Sequence, residues 1–313
     1  MSSLMSIFKS NDLRVCHYCI KYMKESGMEL SVSGYFDPKS CCRNINDALD
    51  KHFKGDEDGA KKRVVFVEGM NNDWRNNVIE MDMFSWVKND EMACYWLWGF
   101  LYKSKSSDLG VSPMANIFKS SYQGMKLDPS PQSNEKRIQV IVSFFDQLAL
   151  SKELKLSLIK KRQSEWQDIY EKRGGLFKWL DKENETQCRW AWDYTKKAHQ
   201  QTEIESHMDE SDIPSSYLKP LTIKEIYMAI HVSVYLWGAN KYEIKNYISS
   251  ISKAWSQKKL RATREGTKQL NTNLRSSVKD KLDALSRHHD KRISEMLEVI
   301  ILAEYKRMKG EVE

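Results

Sequence analysis

Residues 268–274, KQLNTNL, alternate apolar and polar side chains over one short run, and the chain then switches to helical spacing. Leu270, Thr272 and Leu274 fall on one face of an extended segment, with Gln269, Asn271 and Asn273 on the other. A strand cannot satisfy its own backbone, so this pattern predicts a strand that takes its partner from elsewhere. Two amphipathic helices are expected behind it. In the first, Val278, Leu282 and Leu285 point inward behind a cap at Ser276 or Ser277. SRHHDKR breaks the periodicity, and Ser294 is expected to cap a second helix carrying Met296, Leu297, Ile300, Ile301 and Tyr305. His288 and His289 lie in the break and read as exposed turn residues rather than metal ligands.

The net charge of +7 is concentrated in the same part of the chain. Between Lys253 and Lys309 there are fifteen Lys and Arg against seven Asp and Glu. A local excess of this kind is an electrostatic footprint for a polyanion, most often nucleic acid. A solvated basic helix is the competing reading.

KQLNTNL and the following KLDALSRHHDKRISEML resemble the ribbon-helix-helix family of DNA-binding proteins. The layout is most similar to the MatP branch (macrodomain Ter organiser), through Lys281-Leu282, Leu285, the basic break Arg287 to Arg292, and Ile293-Ser294-Glu295. The resemblance covers the C-terminal part of the chain. It implies that an identical subunit supplies the partner strand, making a β-ribbon that enters the major groove of a near-palindromic site. The dimer core would then hold Leu270, Leu274, Val278, Leu282, Leu297 and Ile301. Gln269, Asn271 and Asn273 would read base edges, since an amide presents the donor and acceptor that match adenine. Ser294, Lys291 and Arg292 would hold a phosphate at a helix start. Lys258, Lys259, Arg261 and Arg264 would grip flanking backbone. The coiled coil that follows in the MatP branch is not expected here.

Upstream, residues 134–252 read as a helical bundle with Trp179, Trp190, Trp192 and Tyr194 in its core. Thr222 and Glu225 form a capping-box pattern before a long apolar helix, whose His231 reads as a core histidine. EIESHMDESDIPSSYLKP at 203–220 reads as a surface loop, DPSPQSN at 128–134 as a linker, and Gly174-Gly175 as a helix stop. Residues 1–130 read as an α/β domain of unknown role. Its expected strands are KRVVFVEGM at 62–70 and SVSGYF at 31–36, among helices at Leu13–Lys24 and Asn44–Phe53. The expected fold is therefore mainly α, with an N-terminal α/β region, a central bundle and a basic ribbon-helix-helix over 253–313.

Catalytic signals are sparse. Cys16-x-x-Cys19 with Cys41-Cys42 invites a zinc reading, with His17 in reserve, but LRVCHYCIKYM fits a helix with Leu13, Cys16, Ile20 and Met23 inward. Val67-Glu68-Gly69 would open a Toprim-type magnesium site only with a later acidic pair on another strand, and Glu80-Met81-Asp82 lies too close. No metal or cofactor is expected. The N-terminus lacks a signal-peptide apolar region and no run reaches membrane length, so a cytoplasmic, nucleoid-associated protein is expected. The expected function is sequence-specific double-stranded DNA binding by a homodimer, for DNA organisation, segregation or repression, and not enzymatic. The rivals are a nuclease or defence effector with its active site in residues 1–130, and an adaptor that binds another protein there.

Overall fold

The computed structural model describes residues 7–30, 37–110, 121–173, 176–206, 213–263, 268 and 270–310. They form two compact units, Met1–Ser256 and Gln257–Glu313. Every regular element among them is helical and none is a strand. The mixed fold expected from the sequence, with an N-terminal α/β region and a C-terminal ribbon-helix-helix, is corrected to an all-helical one. No described helix is long and apolar enough to cross a membrane.

In the first unit, α1 (Leu13–Glu25), α2 (Pro38–His52) and α3 (Gly59–Asn77) share one core. The first two begin at aspartate caps: Asp12 accepts from Arg14 N, and Asp37 accepts from Ser40 N with Pro38 at the first helical position. The expected strand at 62–70 lies inside α3. Its β-branched run favours a strand locally, but Arg63, Val67 and Met70 are buried while Val65 is exposed. That i, i+4, i+7 spacing is one helix face, and packing overrides propensity. Glu68 is exposed on this helix. The other expected strand, 31–36, lies outside the described residues, as do Gly174 and Gly175.

The larger core is built from α4 (Ser85–Asn89), α5 (Glu91–Lys103), α6 (Ser121–Gly124), α7 (Asn134–Gln147), α8 (Lys152–Arg173), α9 (Glu185–Ser206), α10 (Pro214–Tyr217), α11 (Ile223–Leu236) and the start of α12 (Lys241–Thr263). Helices α5 and α11 sit at its centre, α5 packing on α7 and α11, and α11 on α9. Both are apolar nearly all round, the composition a helix needs when no face meets water. Asp90 caps α5 by accepting from Met92 N and Ala93 N, and its second oxygen takes Trp166 Nε1–H at 3.2 Å. The buried Trp98 indole donates to Tyr122 Oη at 3.1 Å. The stretch 203–220 departs from a surface loop, because α9 runs to Ser206 and Ile213, Tyr217 and Leu218 are buried. The expected linker at 128–134 joins α6 to α7, and α5 and α7 on either side of it share this core.

Side chains of the bundle tie the three-helix cluster to it. Arg14 forks onto Asp146 and also donates to the Ile79 carbonyl. Lys155, almost fully buried, donates to the Asn77 carbonyl at 3.1 Å, and Lys152 to the Arg75 carbonyl at 2.8 Å. Two ammonium groups thus meet the carbonyl end of α3, where the helix dipole favours positive charge. Burial lowers the Lys155 pKa below the usual lysine value.

Candidate nucleic-acid interface

The second unit contains the last turns of α12, then α13 (Ser276–His288) and α14 (Ile293–Lys309). A tight turn joins the two helices: Asp290 adopts a left-handed φ of 49°, and Lys291 N reaches back to the Ser286 carbonyl at 3.0 Å. This is the helix-end geometry usually given to glycine, which aspartate tolerates better than most residues. His288 and His289 are exposed at this turn, their rings 4.9 Å apart.

Between them α13 and α14 bury little. Leu282, Ser286 and Met296 are the buried residues of this unit among those described. By contrast, twelve of the eighteen large apolar side chains exposed among the described residues lie here. Of the expected dimer core, Leu282 is buried and Leu297 half-buried, whereas Leu270, Leu274, Val278 and Ile301 are exposed. Leu285, expected inward, is exposed too. Val299, Leu302 and Met308 add to this surface. They lie outside the expected dimer core, although four consecutive apolar residues at 299–302 wrap more than one face of a helix.

The expected DNA-contacting residues are placed as follows. Lys258, Lys259 and Arg261 are exposed on the end of α12. Asn271 and Asn273 are exposed on the irregular segment before α13. No strand forms at 270–274, because a period-2 pattern makes a strand only where another backbone lies alongside. Gln269 and Arg264 lie outside the described residues.

Lys291, Arg292 and Ser294 come together at the start of α14, but the cap differs from expectation. Arg292 is the N-cap, and Ser294 is the second helical residue. The Glu295 carboxylate accepts from Arg292 N at 3.0 Å and pairs with Arg292 Nε at 3.1 Å. A carboxylate therefore already stands at this helix start, where a phosphate would meet it. The start of α13 is different. Arg275 is its N-cap, no side chain caps it, and its first turn holds no acidic residue. Ser276 and Ser277 follow directly, so this end offers uncapped N–H groups beside a guanidinium.

No group of three His, Cys, Asp or Glu side chains among the described residues is placed to hold a metal ion. The unit's chemistry is that of cations and amides flanking an uncovered apolar surface. No family model matches the chain, and neither a curated protein nor a solved structure matches it.

Proposed function

We propose that residues 257–313 make the protein a homodimer that binds double-stranded DNA with sequence preference, in DNA organisation, segregation or repression. One observation carries this reading: helix α14 is apolar around most of its circumference yet exposed along its length apart from Met296 and Leu297. Such a helix is stable only when covered, and its partner α13 covers one side. A second copy is the favoured cover because the helix is self-complementary. Glu295 and Glu298 lie in its first turns and Lys306, Arg307 and Lys309 in its last. Antiparallel copies set the acidic start of one beside the basic end of the other, an arrangement that a two-fold axis repeats. The excess of Lys and Arg across Lys253–Lys309 supplies attraction to phosphates, and Asn271 and Asn273 supply amides for base edges. A two-fold dimer favours a near-palindromic site.

Sedimentation of the full chain at micromolar concentration is the direct test, with a dimer expected. A folded monomer that binds duplex DNA no better than other polyanions overturns the proposal. Mapping bound DNA across the genome then separates roles: one recurrent site along a chromosomal region points to organisation, a single promoter to repression.

A further inference from the structure

Four of the six cysteines gather where α1 meets α2. Cys16 and Cys19 lie on α1, Cys41 and Cys42 on α2, and all four are free thiols. Cys16 Sγ and Cys42 Sγ stand 3.8 Å apart, in van der Waals contact. A disulfide needs sulfurs about 2.05 Å apart, so a modest movement of two side chains closes the gap.

The two sulfurs differ in surroundings. Cys16, Cys19 and Cys41 are fully buried, and desolvation pushes each of their pKa values up, that of Cys19 to about 12. Cys42 is partly exposed and lines an open groove of about 420 Å³ with Lys9, Ser10, Asn11, Asp37 and Lys39. Its sulfur accepts from Ser10 N at 3.3 Å, which holds it at the groove wall. Solvent access decides which thiol meets an oxidant, and only Cys42 of the four has it. The groove wall carries two lysines and one aspartate, a balance that favours an anionic reagent.

We propose that Cys42 and Cys16 form a redox pair: Cys42 attacks a small anionic disulfide of the glutathione type, and Cys16 resolves the adduct into an intramolecular disulfide that ties α1 to α2. In the first step the Cys42 thiolate bonds to one sulfur of the reagent, whose S–S bond breaks and releases one small thiol. In the second, the Cys16 sulfur bonds to Cys42 Sγ as the Cys42–reagent S–S bond breaks, and the Cys16 proton passes to the departing sulfur, which leaves as the second small thiol. Two protein thiols are oxidised and one external disulfide is reduced to two thiols. This inference stands independently of DNA binding.

The test treats the reduced full chain with glutathione disulfide, blocks remaining thiols, and examines tryptic fragments without reduction. The fragments VCHYCIK and SCCR should appear joined, lighter by two hydrogens than their sum. Each holds two cysteines, so the Cys19→Ser/Cys41→Ser double variant must still cross-link, whereas Cys42→Ser must not. Cys16→Ser should accumulate one glutathione on Cys42, a product that a merely buried, inert sulfur would not give. Circular dichroism checks that each variant is folded. Joining through Cys41, loss of the cross-link in the double variant, or a Cys16→Ser chain that takes up no glutathione at Cys42 each overturns the proposal.

Discussion

Arg137 on α7 and Glu225 on α11 form an ion pair almost sealed from solvent, 4% and 9% exposed. The Arg137 guanidinium also lies over the Tyr95 ring, 4.4 Å from its centroid. Glu225 does local work as well, taking Leu221 N at 2.9 Å while its own N–H donates to Thr222 Oγ1. One carboxylate thus joins the start of α11 to α7, across 88 residues of chain.

Removing one member leaves the other charged and desolvated. Glu225→Ala should cost about 3–5 kcal/mol of stability, read from denaturant unfolding. The double change Arg137→Met with Glu225→Leu removes both charges and should cost clearly less. If the double variant loses as much as the single one, packing rather than uncompensated charge sets the cost.

His199 on α9 is fully buried against Trp237, ring centroids 4.7 Å apart, and neither ring nitrogen has a hydrogen-bond partner among the described residues. Burial lowers its pKa from 6.5 to about 4. The unfolded chain therefore takes up a proton near pH 6.5 that the folded chain refuses until about pH 4. The contribution is intact above pH 6.5 and is lost as pH falls toward 4, to a total of about 3 kcal/mol. His199→Leu should flatten stability against pH over that window. An unchanged slope would assign the acid sensitivity to other groups.

Ile301 on α14 and Leu154 on α8 are equally exposed, each at 55%. In the proposed dimer, Ile301→Asp would place a charge in the surface that a second copy covers, so it should shift sedimentation toward monomer, at a cost of roughly several kcal/mol. Leu154→Asp should leave sedimentation unchanged. Both variants behaving alike would remove α14 from the interface.

Under the proposed DNA binding, Asn271→Ala should relax preference at one symmetric pair of positions, costing roughly 1–3 kcal/mol of discrimination, while the proposed phosphate contacts would keep the non-specific affinity. Changing Lys258, Lys259 and Arg261 to Ala should weaken binding to every sequence. It should also flatten the salt dependence by about 0.9 in slope for each phosphate that is no longer neutralised. Site selection with Asn271→Ala that returns the original motif would move base reading off this segment.

Much of the helical framework was legible because its signals are local. Thr222 was readable as the cap that starts α11, a few residues from the group it satisfies, and the structure shows Asp90 and Ser133 starting α5 and α7 in the same way. The cysteine face of α1 followed from spacing. Other features depended on distant residues. Whether 62–70 becomes strand or helix turns on what covers Val67 and Met70, and whether 270–274 becomes a strand turns on a second backbone, about which alternation is silent. The Arg137–Glu225 pair and the approach of Cys16 to Cys42 join residues far apart in the chain. Caps and periodicity act within one or two turns, so helix starts and apolar faces are written into the chain itself. Which of those faces are covered belongs to the folded molecule, because burial is settled by which segments meet in space.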